Sequence, residues 1–194
     1  MSERVIHLIR HASTKLNNDD VTVDRLRGWT NHPLSKAGLK QAEVLAKEIS
    51  HNPPDILLCS DLNRCVATAT VIAKTIGLKM ETPAMDFRPW HVGDFAGKIV
   101  SEAMPILIRY AFETPGETVP GGESFNAFRW RFINGLRRAL DKYEGQIGIV
   151  THHRSERLVK SWAKAGFPKD GAIDVEEFKR RGAPTGNCGI VIIP

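Results

Sequence analysis

Short apolar segments that alternate with amphipathic segments are the feature that most constrains the fold of this 194-residue chain. Residues 4–9, 55–59, 146–151 and 189–193 are apolar runs of strand length. The longer segments between them carry apolar residues at helical spacing. Strands that alternate with helices in this way favour a sheet covered by helices on both faces. We therefore predict an α/β fold, a three-layer sandwich with a mostly parallel central sheet.

The helical pattern occurs in five segments, and Ser35 is in the position of an N-cap for the first of them. The predicted helices cover residues 36–50, 62–76, 101–112, 123–143 and 153–165. A further short strand is predicted at 79–81. No repeat or composition break divides the chain, so we predict a single domain over residues 1–194. Residues 98–120 are expected to form a lid over the site, with Lys98 and Arg109 facing the phosphate.

Charge and cysteine content narrow the class of protein. The formal net charge of +5 favours an anionic ligand. Three cysteines, an odd number without Cys-x-x-Cys spacing, argue against a disulfide framework and a zinc ribbon. The sequence shows neither a signal peptide nor the roughly 20 consecutive apolar residues that span a bilayer. We therefore expect a cytoplasmic protein that binds neither membrane nor nucleic acid. The sequence leaves the oligomeric state open, a dimer included.

Polar side chains of two kinds follow three of the predicted strands. Arg10 and His11 follow the first strand, Arg64 comes shortly after the second, and His152 and His153 follow the third. Ligands of open α/β sheets bind at the carboxyl ends of strands, so these side chains are expected to meet in one pocket. Arginine forks match phosphate oxygens, and a neutral histidine is a nucleophile for phosphoryl groups. The pattern therefore predicts a site for a phosphorylated substrate.

Other chemistries fit the sequence less well. His7 and His11 have the spacing of a helical metal pair, but in a strand they stand about 13 Å apart. Cys59 and Arg64 are separated by four residues, whereas the loop of a cysteine phosphatase needs five. The chain also lacks the glycine-rich loop of a P-loop nucleotide enzyme and the Gly-x-Ser-x-Gly elbow of a serine hydrolase.

Five motifs, in the same order along the chain, resemble those of the histidine phosphatase superfamily, the phosphoglycerate mutase-like enzymes. They are Arg10-His11-Ala12-Ser13 with Asn17, Gly28 with Pro33-Leu34-Ser35 and Gly38-Leu39-Lys40-Gln41-Ala42, Ser60-Asp61-Leu62-Asn63-Arg64, Gly122-Glu123-Ser124, and Val150-Thr151-His152. Together they cover most of the chain from residue 5 to about 155.

The resemblance implies roles for individual residues. His11 would be the phosphorylated nucleophile, and Arg10, Arg64 and His152 would form the phosphate pocket. The substrate side would be lined by Thr14, Asn17, Gly28 and His153. No metal and no organic cofactor is implied, and the expected partner is a small phosphorylated substrate.

The sequence departs from the family where the proton donor is expected. The family takes this donor from the Glu of a Leu-Arg-Glu segment, and here the segment is Phe87-Arg88-Pro89. Proline cannot donate a proton, so either another group serves as the general acid or the protein has no dedicated acid. The candidates are Asp86, His91, Asp94 and Glu123. Asp86 is the predicted donor because it is closest in sequence before the missing Glu.

These observations predict a phosphatase that hydrolyses a small phosphate monoester through a phosphohistidine on His11. One alternative is a mutase, which returns the phosphoryl group to another hydroxyl. The other is a catalytically weak protein that binds a phosphorylated ligand, and Pro89 is the feature that favours it.

Overall fold

The structure, a computed structural model, describes residues 4–17, 24–180 and 184–193. Within these residues a four-stranded sheet has the order β2-β3-β1-β4. The strands are β1 (Arg4–Arg10), β2 (Ile56–Cys59), β3 (Ile147–Thr151) and β4 (Cys188–Ile193). β1 and β2 both run parallel to β3, and β4 runs antiparallel to β1 at one edge. The predicted mostly parallel sheet is confirmed.

The helices follow the predicted pattern to within two residues at each end. They are α1 (Lys36–Ile49), α2 (Asn63–Ile76), α3 (Val100–Phe112), α4 (Phe125–Lys142), α5 (His153–Lys164) and α6 (Val175–Lys179). The five-residue α6 was not predicted, because one turn and a half is too short to show a period. The strand predicted at 79–81 is only an isolated parallel bridge between Leu57 and Met80.

Alternate residues of each strand pack into two separate cores, which gives the fold its three layers. Ile6 and Leu8 of β1 face a core built with α3, α4 and α5, in which Phe128 and Phe132 are fully buried. Ile9, the residue after Leu8, faces the opposite core, which α1 and α2 complete. Side chains of a strand point alternately to the two faces of a sheet, so both faces here are covered by helices.

The start of α1 fixes the loop that follows β1. Ser35 caps the helix, as predicted, with its Oγ accepting from the Gly38 N–H at 3.0 Å. The backbone N–H of Ser35 donates to the Ser13 carbonyl at 3.0 Å. A Cβ at Gly38 would lie 1.9 Å from that same carbonyl oxygen, so only glycine allows α1 to approach this closely. The loop that carries His11 is therefore held against the first turn of α1.

The segment predicted to form a lid contains α3. Ala103, Leu107 and Ala111 on one side of α3 are buried in the core, while Val100 and Met104 line the cavity described below. Lys98 lies over the Phe95 ring and Arg109 is exposed, and neither of them is among the residues that line the cavity. The structure does not test whether the segment moves, so its role as a lid stays a prediction.

In the part of the chain that the structure describes, no helix is both long enough and apolar enough to cross a membrane.

Candidate active site

The carboxyl ends of β1, β2 and β3 open into one cavity of about 730 Å³. Arg10 ends β1 opposite Thr151 of β3, and the His11 N–H donates to the Thr151 carbonyl at 2.9 Å. Among the residues lining the cavity are Arg10, His11, Arg64 and His152. The structure thus brings together the four side chains predicted for phosphate binding and attack, and we call this group the phosphoryl pocket.

His11 is a buried, neutral imidazole, with 5% of its surface exposed. Its Nδ1 lies 2.9 Å from the carbonyl oxygen of Ala12, so Nδ1 carries the proton and donates it. The lone pair is therefore on Nε2. Burial lowers the pKa of His11 well below its usual value, and the charges of Arg64 and Arg10 lower it further. Such a nitrogen is ready to attack without first losing a proton.

Arg64, in the first turn of α2, is 1% exposed and is held by backbone carbonyls. Its Nη1 donates to Thr30 at 2.8 Å and its Nη2 donates to Gly28 at 3.1 Å. Its Nε is buried and has no hydrogen-bond partner among the residues that the structure describes. An unsatisfied buried donor on a charged group is costly, so its presence beside His11 indicates a missing acceptor. A phosphate oxygen would satisfy it.

Gly28 gives the loop that holds Arg64 its shape. Its φ of +46° lies in the left-handed region that favours glycine, and a Cβ there would lie 2.9 Å from a methyl carbon of Val92. Gly28 also lines the cavity, as predicted for the substrate side.

His152 completes the phosphoryl pocket from the end of β3. Its ring lies edge-on to that of His11, with 5.2 Å between the ring centroids. Its Nε2 is 3.0 Å from Ser60 Oγ, and the Cys65 thiol lies 3.4 Å from the same nitrogen. Burial and the charge of Arg64 lower its pKa well below the usual value, so this ring is neutral as well. Burial raises the pKa of the Cys65 thiol, so this sulfur stays protonated.

Positive charge dominates the whole cavity. Six of the residues lining it are arginines, namely Arg10, Arg25, Arg27, Arg64, Arg154 and Arg157. Burial lowers the pKa of Arg10 to about 10. Asp24, the one carboxylate among the described residues that line the cavity, pairs with Arg27 at 2.9 Å. This arrangement suits a ligand with several negative charges.

Residues 6–181 match the family model of the histidine phosphatase superfamily, branch 1. The chain belongs to the histidine phosphatase superfamily. The resemblance stated from the motifs is confirmed.

Two related proteins carry different functional names. A metal-independent phosphoserine phosphatase of Arabidopsis thaliana is 31% identical over 154 residues, covering 76% of this chain and 63% of that protein. A probable phosphoglycerate mutase of Yersinia pestis is 26% identical over 152 residues, covering 76% of this chain and 68% of that protein. The match thus spans less than two thirds of the Arabidopsis protein.

Solved structures of this superfamily share the fold. A putative alpha-ribazole-5'-P phosphatase of Escherichia coli has a TM-score of 0.76 at 21% identity, covering 98% of this chain and 91% of that one. A mycobacterial glucosyl-3-phosphoglycerate phosphatase has a TM-score of 0.74 at 18% identity, covering 97% and 90%. At these identities the likeness shows the fold alone.

The structure places the other residues predicted for the substrate side in different surroundings. His153, at the start of α5, lines the cavity. Thr14 is fully buried, its Oγ1 accepts from the Leu16 N–H at 3.3 Å, and it is not among the residues that line the cavity. Asn17 ends a short 3₁₀ helix, and its side chain lies outside the part of the structure that is described.

Asp86, the predicted proton donor, does not lie with the phosphoryl pocket. Its carboxylate pairs with Arg138 of α4 at 2.8 Å on the surface, and it is not among the residues that line the cavity. The reason is the packing of its 3₁₀ helix on α4, where a Cβ at Gly135 would lie only 2.7 Å from Asp86 Cβ. Asp86 is close to Pro89 in sequence, but its carboxylate does not reach the cavity that contains His11.

The three other candidates for the acid are also not among the residues that line the cavity. Glu123 pairs with Arg131 at 2.6 Å and accepts from the His91 N–H at 2.9 Å. His91 packs edge-on against the Trp29 ring, and Asp94 is exposed. Pro89, which takes the sequence position of the acidic residue in the family's motif, does line the cavity.

Sequence reasoning missed five of the charged residues that line the cavity, namely Asp24, Arg25, Arg27, Arg154 and Arg157. The sequence could have indicated two of them. Arg154 and Arg157 are three residues apart on the predicted helix that begins directly after His152. Residues at that spacing lie on one side of a helix. Asp24 and Arg27 lie in an irregular segment without a period.

The neutral histidines predict how stability depends on pH. In the unfolded chain a histidine gains its proton near pH 6.5, whereas His11 and His152 stay neutral in the folded chain until well below that value. As the pH falls below about 6.5 the unfolded state binds more protons, and the free energy of unfolding drops. The loss amounts to up to about 1.4 kcal/mol per pH unit for each histidine. Urea unfolding at pH 7.5 and 5.5 measures it.

The matched variants are His152→Asn and His51→Asn, since His51 is an exposed histidine. The first should reduce the loss of stability between the two pH values, and the second should leave it unchanged. An identical pH dependence in His152→Asn and the parent protein would show that His152 is not buried as a neutral ring.

Proposed function

We propose that this protein is a phosphatase that hydrolyses a small phosphate monoester through a phosphohistidine on His11. One observation carries the proposal. The buried, neutral His11 has its Nδ1 proton committed to the Ala12 carbonyl, which leaves the Nε2 lone pair for attack in a cavity lined by arginines. Membership of the histidine phosphatase superfamily supports phosphoryl transfer as the reaction.

The proposed reaction has two steps. In the first, the lone pair of His11 Nε2 attacks phosphorus, the ester P–O bond breaks, and the leaving alkoxide takes up a proton. In the second, water attacks the phosphohistidine, the P–N bond breaks, and inorganic phosphate leaves while the water proton is released. Arg10 and the free Nε–H of Arg64 hold the phosphate oxygens, and their charge stabilises the transition state of each step.

The proposal uses no metal and no organic cofactor, as the family resemblance implies. Within the described residues, no three histidine, cysteine or acidic side chains are grouped closely enough to share a metal ion, and that finding decides nothing about the reaction. We further propose that the chain acts as one domain, with residues 98–120 as its lid, in the cytoplasm.

Hydrolysis of p-nitrophenyl phosphate tests the proposal, because its leaving group needs little help from an acid. We expect turnover in the parent protein and its loss, by a factor of 10³ or more, in His11→Ala, because removing a nucleophile removes the covalent route. His51→Ala is the control and should retain the parent rate.

Two other outcomes would contradict the phosphatase proposal and favour a different function. Binding of phosphate esters without turnover in the parent protein would indicate a phospho-ligand-binding protein. Transfer of the phosphoryl group to an added alcohol in preference to water would indicate a mutase.

The cavity-lining position of Pro89 predicts a gain of activity on substitution. Pro89→Glu places a carboxylic acid where the family has its proton donor, while the Pro89 carbonyl that accepts from Trp29 and Arg131 is retained by any residue. General acid catalysis contributes about 10² to 10⁴ in rate. We therefore expect Pro89→Glu to raise kcat/KM at least about tenfold for an alkyl phosphate and far less for p-nitrophenyl phosphate.

Pro89→Gln is the matched control, because it has the size of Glu and no acidic proton. Equal rates for Pro89→Glu and Pro89→Gln on the alkyl phosphate would show that this position cannot deliver a proton to the leaving group.

A further inference from the structure

Glu156 is the one carboxylate residue that the described part of the chain buries almost completely, with 1% of its surface exposed. Its Oε1 accepts from Lys160 at 2.5 Å, and its Oε2 is buried without a hydrogen-bond partner among the described residues. Glutamate is rarely buried to this extent, because desolvation of its charge is costly. The Lys160 side chain is 34% exposed, so this pair offsets only part of that cost.

The first turn of α5 places Glu156 beside the phosphoryl pocket. Its backbone N–H donates to the carbonyl of His152 at 2.9 Å, so the residue belongs to the turn that begins at the end of β3. Its neighbours His153, Arg154 and Arg157 line the cavity, whereas Glu156 does not. The Glu156 carboxylate is therefore inside the protein, behind the wall that α5 forms.

The strands β1 and β4 bring Arg10 to the same region. A Cβ at Gly189 of β4 would lie 3.9 Å from Glu156 Oε1, so the carboxylate is close to this strand. Gly189 pairs with Leu8 of β1, which faces the core that α5 helps to build. Arg10 is two residues further along β1, about 7 Å, and its side chain leaves the same face of the sheet. A long arginine side chain can span that distance.

The charge of Glu156 acts on Arg10. Burial lowers the pKa of Arg10 to about 10, and among the charges that act on it Glu156 has the largest effect, which raises the pKa. Arg27 lowers the pKa and Asp24 raises it, both to a smaller extent. Glu156 also raises the pKa of Arg157, which burial lowers. Attraction between opposite charges is stronger in a protein interior than in water, so this carboxylate is a substantial restraint on Arg10.

We propose that Glu156 is a positioning residue for the phosphoryl pocket: its carboxylate, anchored by Lys160, holds the Arg10 guanidinium in the orientation that binds the phosphoryl oxygens. Glu156 itself does not touch the substrate, because it does not line the cavity. The effect on catalysis rests on the proposed function, whereas the effect on phosphate binding is independent of turnover.

Glu156→Gln tests the role of the charge, because it keeps the size of the side chain and an acceptor for Lys160. We expect kcat/KM for p-nitrophenyl phosphate to fall at least about tenfold, the scale of one charge-assisted hydrogen bond. The Kd of inorganic phosphate, measured by calorimetry, should rise by a similar factor. Loss of a negative charge without loss of positioning would do the opposite and strengthen phosphate binding.

Two further variants keep this comparison decisive. Glu156→Asp retains the charge and should recover most of the lost phosphate affinity. Glu176→Gln is the control and should bind phosphate as the parent does, because Glu176 is an exposed residue that pairs with Lys179 at 2.9 Å and does not line the cavity.

Thermal melting checks that Glu156→Gln is folded. If it is not, the double variant Glu156→Met with Lys160→Met replaces the whole ion pair by apolar side chains, a change that protein interiors often tolerate. The same loss of phosphate affinity is expected for this double variant, because it also lacks the carboxylate.

A double-mutant cycle tests whether Glu156 acts through Arg10. Arg10→Lys keeps a positive charge, so phosphate binding stays measurable, but it lacks the fork that the carboxylate orients. In this background Glu156→Gln should change the Kd of phosphate less than about threefold. An equal loss in both backgrounds would show that Glu156 supports the structure, or Arg157, independently of Arg10, and would overturn the proposal.

Phosphate binding also separates this proposal from the proposed function. If the parent protein binds phosphate but hydrolyses no ester, and Glu156→Gln weakens that binding, the phosphatase proposal fails and the positioning role stands. If the parent protein hydrolyses p-nitrophenyl phosphate and folded Glu156→Gln matches it in kcat/KM and in phosphate affinity, the positioning role is overturned and the phosphatase proposal stands. Tighter phosphate binding by Glu156→Gln would overturn the positioning role in the same way.

Discussion

The buried guanidinium of Arg64 is the interaction on which the candidate site depends. Two of its nitrogens donate to the carbonyls of Thr30 and Gly28, so it joins the first turn of α2 to the loop that precedes α1. Burial lowers the pKa of both His11 and His152, and the charge of Arg64 lowers it further, so the two rings stay neutral. Its third nitrogen, Nε, has no hydrogen-bond partner in the described part of the chain. One side chain thus links the position of the loop, the protonation of the nucleophile and the affinity for a phosphate oxygen.

The other arginines that line the cavity add to the positive charge of Arg64. Arginines are retained there although burial lowers the pKa of Arg10 and of Arg154 to about 10. Desolvating charge costs free energy, and a bound anion offsets part of that cost. The cavity therefore favours an anionic ligand. Pro89 also lines this cavity, at the sequence position where the family resemblance implies an acidic residue.

Much of the fold could be predicted from the sequence, because the two periods of strand and helix are visible in the positions of apolar residues. The direction of β4 and the short α6 could not, since neither leaves a periodic signal. For the site, the strand-end rule brought Arg10, His11, Arg64 and His152 together correctly. Asp86 does not line the cavity, because the packing of its 3₁₀ helix on α4 places its carboxylate against Arg138, a tertiary contact that spacing along the chain does not reveal.

The central claim is that His11 carries the phosphoryl group, and trapping that group tests it most directly. The protein is mixed with p-nitrophenyl phosphate, quenched within milliseconds in alkali, where phosphohistidine survives and acyl phosphates do not, and digested for mass spectrometry. The account predicts a phosphoryl group on the peptide that contains His11, and none when the reaction is repeated with His11→Ala. A phosphoryl group on another residue, or turnover with unmodified His11 at every quench time, would contradict it.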